Sequence, residues 1–475
     1  MPDRQSTTMG LKPNSLGLAS IVFFVVAAAA PLTAIVGAAP LAFGLGNGAG
    51  APSAYILAGL VYLVFAVGFT AMSRHVGSAG AFYVFVSQGL GKSWGAAAGA
   101  ITLLTYVEIQ IAVYAFFGIV LAGVGESAGL ALPWWVWACI CMVVVDFFAT
   151  RNIELSGKVL GVCLLGEVAV LLILNLAILF QGGGPEGIVF TSFAPETVFV
   201  TGLGISLLFA VASFIGFEAT VIFAEEAKDP RRTIPMATYV AVIAITVFYA
   251  FSAWCMVLAY GPSSIRDVAN GDLSDLFVNT AGARVGDWLK LAMTALLITS
   301  LFAAALSFQN TISRYLFALG RDGLLPKALG NADSVHRSPK FASHSYTLVA
   351  VVFVGISVLL NLDPYTILYS WLAAAAALSI LVVQILVCVA ILRFFSKDQR
   401  GTSLWQNRIS PILAIIGLGG FTLIALSNLS LLTGDESWRV WLIPVAIVVL
   451  GVLGWWRSAQ AEVHVSNSLA SATGE

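Results

Sequence analysis

Charged side chains are scarce in this chain: they make up 10% of its 475 residues, whereas 59% of the residues are apolar. A soluble domain of ordinary composition carries about 25% charged residues, so this scarcity argues against soluble enzymes and soluble binding domains. The net charge of −1 gives no reason to expect a nucleic-acid partner. The composition instead indicates an integral membrane protein surrounded by the lipid bilayer.

Cysteine is also rare, and its placement argues against a disulfide framework. Cys139, Cys141, Cys163, Cys255 and Cys388 all lie in apolar runs, where thiols act as small hydrophobic side chains. No His or Cys cluster within these runs has the spacing of a metal site. We therefore expect no metal, no cofactor and no enzyme active site.

Long apolar runs are abundant, and most reach the roughly 18 residues or more that indicate a membrane span. Helices are the expected form, because open strands would leave backbone groups unpaired in lipid. We predict an all-α integral membrane protein with twelve transmembrane helices. The predicted spans lie near 18–45, 52–72, 96–123, 132–150, 156–180, 198–223, 236–259, 285–318, 344–361, 364–395, 408–430 and 438–457.

The basic residues predict the orientation of these spans. With the N-terminus inside, only Arg266, Arg284, Lys290 and Arg439 of the 23 lysines and arginines face outward, as the positive-inside rule requires. We expect a multi-pass protein of the cytoplasmic membrane with both termini in the cytoplasm, as tails at 1–15 and 458–475. The opening residues lack a compact signal-peptide pattern with a cleavage site, so the first span is expected to be retained.

Two interrupted spans suggest an internal repeat. The first span contains AAAAPLTAIVGAAP (27–40), where Pro31 removes a backbone donor in mid-helix. Five helices later, the sixth span has a small-residue interruption from Ser213 to Gly216. Two sets of five helices with opposite orientation, each opening with a broken helix, are typical of secondary transporters. The predicted units are 16–180 for the first repeat, 198–395 for the second, and 408–457 for two additional helices.

Three motifs resemble the signatures of one transporter family. They are GFEATVIFAEEAKDPRRTIP (216–235), RYLFALGRDGLLPKALG (314–330) and RHVGSAGAFYVFVSQGLGK (74–92). On these motifs the chain resembles the amino acid, polyamine and organocation (APC) superfamily of permeases. The resemblance implies the LeuT-like APC fold, a five-plus-five inverted repeat with two additional C-terminal helices. It also implies transport of amino acids or amines with protons or sodium, or by exchange.

The resemblance places a substrate between the interruptions in spans one and six. The residues expected to bind it are Ala29, Ala30, Pro31, Leu32, Thr33, Tyr106, Glu108, Ala212, Ser213, Phe214, Ile215, Gly216 and Phe217. Many relatives have a glycine-rich break whose N–H groups bind a carboxylate, whereas this chain offers Thr33 and the remaining amides. Ala212 stands where some relatives have a bulky aromatic residue, which leaves Phe214 and Phe217 as gates or as core packing.

Carboxyl groups within the spans are candidate functional groups, because a charge at membrane depth costs about 2.5–3.5 kcal/mol on insertion scales. Glu218 matches a family acid associated with proton-linked gating, although a structural hydrogen bond is the alternative. Glu167 stands where many relatives have a lysine, and is expected to be a protonatable carboxyl or a cation ligand. Glu108 is a candidate contact for a substrate amine, and all three carboxyls could simply stay neutral. Asp146 is expected at the interface beside Arg151.

The charged run from Glu225 to Arg232 is expected at the cytoplasmic end of span six. It is either a solvated helix end or a network of opposite charges, including Glu226, that changes partners between two states. Exposed pairs of this kind contribute only about 0–1 kcal/mol each.

These features predict a secondary transporter that imports a small amino acid by proton symport. An amine or polyamine carrier or exchanger is the alternative, favoured by the buried acids and the missing glycine break, and sodium is the alternative coupling ion. A nutrient sensor would be expected to carry an added soluble domain, for which the predicted tails leave little room.

Overall fold

The computed structural model of the chain describes residues 17–76, 81–151, 157–218, 220–221, 227–333, 338–434 and 438–473. The predicted N-terminal tail at 1–15 lies outside the described residues, as do Glu225 and Glu226 of the charged run. Regular structure within the described ranges is helical.

The helices, in chain order, are α1 (Leu18–Ala28), α2 (Pro31–Gly44), α3 (Ala51–Ser73), α4 (Ala81–Leu90), α5 (Lys92–Ser127), α6 (Trp134–Thr150), α7 (Gly157–Phe180), α8 (Pro195–Val198), α9 (Leu203–Phe214), α10 (Pro230–Tyr260), α11 (Ile265–Gly271), α12 (Leu276–Arg284), α13 (Asp287–Arg321), α14 (Lys340–Leu359), α15 (Ser370–Lys397), α16 (Ser410–Ser427), α17 (Leu429–Thr433) and α18 (Leu442–Thr473). α8, α11, α12 and α17 are short and lie between the long helices. α18 continues to Thr473, so it includes most of the segment predicted as a C-terminal tail.

Among the described residues, nine helices are long and apolar enough to cross a bilayer. Three shorter apolar helices, α2, α6 and α9, lie in the predicted spans one, four and six. The prediction of an all-helical membrane protein is confirmed, while the count of twelve spans and the inverted repeat stay predictions.

The first predicted span consists of two helices separated by a break. α1 ends at Ala28 and α2 begins at Pro31, and Ala30 between them has a φ of 44°. Non-glycine residues rarely adopt this left-handed conformation. Pro31 suits the first position of a helix, because the N–H that it lacks would have no partner within the helix there.

The sixth predicted span is also broken. α9 ends at Phe214, and Gly216 then turns the chain with a φ of 113°, a conformation that glycine adopts without a steric penalty. Because α2 packs against α9, the two breaks lie side by side within the bundle.

The central helix of the bundle is α5. It contacts α4, α6, α13, α15 and α18, and most of its side chains are buried. On the other side of the breaks, α3 packs against both α9 and α10. The two broken segments are therefore enclosed by unbroken helices.

Candidate functional site

A small cavity of about 40 Å³ lies where the two breaks meet. Its walls come from both breaks and from α5, α13 and α15. The lining residues are Ala29, Ala30, Thr33, Ala34, Ala38, Ile109, Val113, Ala212, Ser213, Ile215, Ala304, Phe308, Tyr369 and Ala373. A volume of this size accommodates about three water molecules, so a larger ligand enters only when the walls move apart.

The cavity wall carries no charged side chain among the residues that line it. Its polar side chains are Thr33, Ser213 and Tyr369. The Ser213 hydroxyl donates to the Phe209 carbonyl oxygen at 2.8 Å, and the Thr33 hydroxyl donates to the Ser300 hydroxyl at 3.0 Å. The other polar groups near the cavity belong to the backbone at the breaks, where helix ends leave N–H and C=O groups without partners inside the helix.

The structure brings part of the predicted site to the cavity and places the rest behind it. The predicted residues that line the cavity are Ala29, Ala30, Thr33, Ala212, Ser213 and Ile215. Pro31 and Leu32 form the first turn of α2. Phe214 and Phe217, the predicted gates, pack against the ring of Tyr62 with centroid distances of 5.0 and 4.9 Å.

Glu218 lies just beyond the break after α9, and its side chain is buried. Its Oε1 accepts a hydrogen bond from the Tyr106 hydroxyl at 2.7 Å, and its Oε2 accepts one from the Gly216 amide at 2.9 Å. The carboxyl group thus satisfies an N–H of the unwound chain and connects it to α5. Tyr106 and Gly216 both contact this acid, and their predicted contact with a substrate stays a prediction.

Glu167, on α7, contacts the other break. Its Oε2 accepts a hydrogen bond from the Leu32 amide at 3.3 Å, and its carboxyl group is also within hydrogen-bond reach of Ser300. An acid at this position matches the unpaired N–H groups and the positive end of the α2 dipole. Glu167, Ser300 and Thr33 therefore join α7, α13 and α2 beside the cavity.

Glu108 does not line the cavity, although its neighbour Ile109 does. Its Oε2 accepts a hydrogen bond from the Ser379 hydroxyl at 3.0 Å. The acid therefore connects α5 to α15, and its predicted contact with a substrate amine stays a prediction.

Asp146 was expected at the interface beside Arg151, and the structure gives it different partners. The residue is buried, with Oδ1 accepting from Ser343 at 2.6 Å and Oδ2 lying 2.6 Å from His344 Nδ1. The Arg151 guanidinium instead lies 4.1 Å from the centre of the Phe147 ring. Asp146 therefore connects α6 to α14.

Several lining residues were missed by sequence reasoning. Ile109, Val113, Ala304, Phe308 and Ala373 are apolar residues within predicted spans, and an apolar side chain gives no sequence signal that it faces a cavity. Tyr369 ends a π-helical turn, Pro364–Tyr369, that precedes α15. The tenth predicted span, 364–395, is unusually long, and this length was the one sequence signal of an irregular turn there. π-helical turns frequently occur at functional sites.

Packed aromatic rings close one side of the cavity. The Tyr365 hydroxyl donates to the Gly37 carbonyl oxygen at 2.8 Å, and the Phe116 ring lies 5.5 Å from that of Tyr365 and 5.2 Å from that of Tyr369. A Cβ at Gly37 would overlap the Tyr369 hydroxyl, so glycine permits this close approach. Farther out, Arg266 of α11 donates to the Gly46 carbonyl oxygen at 2.8 Å.

The chain is similar to known amino acid permeases and amino acid transport proteins. The profile of the family described as "Amino acid permease" matches residues 20–453. The chain is 26% identical over 337 residues to the aromatic amino acid transport protein AroP of Escherichia coli K12, covering 68% of this chain and 70% of that protein. It is 22% identical over 359 residues to the probable amino-acid permease meu22 of Schizosaccharomyces pombe, covering 72% of this chain and 60% of that protein.

Proposed function

Because the chain belongs to the amino acid permease family, we propose that it imports a small amino acid across the cytoplasmic membrane by proton symport. Its family is one of transporters, not of enzymes. The observation that carries the proposal is the uncharged cavity at the meeting point of two helix breaks.

The helix ends at this cavity match the two charges of an amino acid. α2 begins at Pro31 and presents the positive end of its dipole, whereas α9 ends at Phe214 and presents the negative end. A substrate carboxylate would lie toward α2 and its ammonium group toward α9, as in other transporters with broken helices. The apolar wall would then contact the side chain.

An amine or polyamine carrier, the alternative, fits the site less well. A cationic substrate without a carboxylate is best held by acidic side chains, yet the lining residues include none. Among the described residues, Glu108, Glu167 and Glu218 lie behind the wall and accept hydrogen bonds from Ser379, Leu32 and Tyr106.

The volume and the lining of the cavity limit the size of the substrate side chain. The present volume of about 40 Å³ and the many alanines in the wall favour a small substrate. An aromatic amino acid is the second candidate, because Phe308 and Tyr369 also line the cavity and aromatic rings pair favourably. The AroP relatives are named for transport of aromatic amino acids.

Proton coupling is supported by the surroundings of Glu218. Among the described residues, the groups that hydrogen-bond to it are neutral, the Tyr106 hydroxyl and backbone amides. A buried charge without a cationic partner is costly, and uptake of a proton removes that charge. A carboxyl group whose surroundings differ between inward and outward states would couple its proton to the exchange between them.

Sodium coupling remains the alternative, with its own structural support. Glu167, Ser300 and Thr33 place a carboxyl group and two hydroxyl groups close together beside the α2 break. Oxygen groups are the ligands that hard cations prefer.

Substrate class is tested by a thermal-shift screen of the purified protein followed by counterflow in proteoliposomes. The compounds are glycine, alanine, serine, phenylalanine, tryptophan and putrescine. A ligand that binds only the folded form raises the unfolding temperature, and we expect the small neutral amino acids to do so and to exchange. Stabilisation and exchange by putrescine alone would contradict the proposal, and a response to the aromatic compounds alone would select the second candidate.

Coupling is tested with Glu218→Gln and Glu167→Gln in the same proteoliposomes. Counterflow needs only binding and exchange, whereas accumulation driven by an imposed proton gradient needs the coupling site. We expect Glu218→Gln to retain counterflow and to lose accumulation when sodium is absent. If both variants still accumulate substrate under these conditions, neither carboxyl group is the coupling site.

The predicted orientation, with both termini in the cytoplasm, is tested by labelling single cysteines from each side of the membrane. Asp267→Cys, in the predicted external loop, should react with an impermeant reagent added outside. Asn331→Cys should react only after the membrane is opened. The native protein, whose five cysteines all lie within helices, gives the background, and the reverse pattern would invert the topology.

A further inference from the structure

A second feature of the molecule is an apolar groove of about 410 Å³ between α5, α15, α16 and α18. It shares no lining residue with the cavity at the breaks. Thr422 is the polar residue in its wall, and the Thr422 hydroxyl donates to the Leu418 carbonyl oxygen at 2.8 Å. The groove therefore offers hydrocarbon and ring surface to an occupant.

The length of the groove matches one leaflet of a bilayer. Along α18 it extends from Pro444 to Trp455, which corresponds to about 16 Å at 1.5 Å per residue. A bilayer hydrocarbon core is about 30 Å thick, so the groove spans about half of it. Val448 and Val452, which are 62% and 58% exposed, leave the groove open to the surroundings along α18.

Both tryptophans of the groove lie at the same end. Trp94 at the start of α5 and Trp455 late in α18 are 47% and 41% exposed. The two helices pass closely here, because a Cβ on Gly454 would lie 2.7 Å from the Ala96 carbonyl oxygen. Tryptophan is enriched at the level of lipid headgroups, so this end of the groove reaches the membrane surface.

Two basic residues, Lys92 and Arg457, lie near Trp94 and Trp455 at this end of the groove. α5 and α18 run in opposite directions, so the turn that precedes Ala96 and the turn that follows Gly454 lie at a similar depth. These turns carry Lys92 and Arg457, and both side chains are exposed. An apolar groove one leaflet long thus ends beside a pair of basic side chains, which attract anionic headgroups.

We propose that this groove binds an anionic phospholipid, with one acyl chain along α18 and the phosphate group between Lys92 and Arg457. In the proposed topology the lipid belongs to the cytoplasmic leaflet. The site lies apart from the cavity at the breaks, so the proposal does not depend on the substrate or on the coupling ion.

The test compares binding of phosphatidylglycerol and phosphatidylcholine to delipidated protein by native mass spectrometry and thermal shift. Val448→Trp combined with Val452→Trp fills the groove from exposed positions, and Leu423→Trp, on a 70% exposed residue outside it, is the matched control. Lys92→Gln combined with Arg457→Gln removes the cations. Lys327→Gln combined with Lys340→Gln, at two other exposed lysines, is the matched control for charge.

The expected result is that the native protein and both controls bind phosphatidylglycerol in preference to phosphatidylcholine. The groove-filled variant should bind either lipid about tenfold less. In the variant without the cations, the preference for phosphatidylglycerol should fall by about thirtyfold, as removal of two surface cations predicts. Unchanged lipid binding in the groove-filled variant would overturn the proposal. It would also be overturned if filling the groove changed only the oligomeric state, because the occupant would then be a second copy of the chain.

Discussion

The Glu167 carboxyl group accepts a hydrogen bond from the Leu32 amide, with 3.3 Å between oxygen and nitrogen. Leu32 lies in the first turn of α2, directly after the break, and Pro31 before it has no N–H to offer. The acid therefore connects α2, the half-helix that forms one wall of the cavity, to α7. Because Thr33 of that same turn lines the cavity, a change at Glu167 reaches the cavity through one turn of helix.

Substitution of Glu167 tests this connection. Glu167→Ala leaves a buried N–H unpaired, which costs about 1–3 kcal/mol, so we expect a lower unfolding temperature and weaker substrate binding. Glu167→Gln keeps an acceptor oxygen and should preserve both properties. Thermal unfolding and counterflow measure them, with Glu126→Ala at an exposed position of α5 as the control. Equal losses in the Ala and Gln variants would mean that the negative charge matters and the hydrogen bond does not.

Tyr106→Phe tests the surroundings of Glu218. The substitution removes the hydroxyl group that donates to Glu218 at 2.7 Å, and a hydrogen bond to a charged group contributes about 1.5–3 kcal/mol. We expect gradient-driven uptake to fall by about tenfold or more, while counterflow is retained because Tyr106 does not line the cavity.

Tyr315→Phe is the matched control for this experiment. The Tyr315 ring lies 5.7 Å from that of Tyr106, but its hydroxyl group is buried without a hydrogen-bond partner among the described residues. It should therefore transport like the native protein. Equal losses in both variants would point to the packing of the rings as the cause.

The positions of the breaks and of the buried acids could be predicted from the sequence because they are local exceptions. Pro31 interrupts a run of small residues, and Gly216 precedes an acid within an apolar span. Such exceptions are visible against uniform hydrophobicity. Phe308 and Ile109 could not be found in the same way, because an apolar side chain toward a cavity and one toward lipid or core have the same sequence signal.

The hydrogen-bond partners of the buried acids could not be predicted from the sequence either. Arg151 follows Asp146 by five residues, and residues at that spacing are not neighbours on a helix, unlike those three or four apart. The observed partner, His344, is 198 residues away in the chain. Its position depends on the packing of α6 against α14, which local sequence does not specify.

Gly216 provides a test of the second break. Its φ of 113° is rarely adopted by residues with a side chain, and such strain costs on the order of 1–3 kcal/mol. We expect Gly216→Ala and Gly216→Leu to abolish uptake while the protein is still produced and inserted. Gly355→Ala is the control, since an added Cβ there meets nothing within 4 Å. Native rates in the Gly216 variants would place the binding site elsewhere.

Substitutions at Asp146 and His344 show whether Asp146 stabilises the fold or couples transport to protons. Asp146 Oδ1 accepts hydrogen bonds from Ser343 at 2.6 Å and Thr347 at 3.1 Å. Asp146→Asn keeps one acceptor oxygen for these hydroxyl groups and replaces the oxygen next to His344 Nδ1 with an NH₂ group, so we expect a loss of about 1–3 kcal/mol in the free energy of unfolding. His344→Ala removes a half-exposed partner and leaves both hydroxyl contacts in place, so its cost should be smaller, about 0–1 kcal/mol. Unfolding in detergent measures both values, and proton-driven uptake by the folded variants should stay coupled. If Asp146→Asn unfolds at the native temperature but no longer accumulates substrate, the role of Asp146 is in proton coupling and not in connecting α6 to α14.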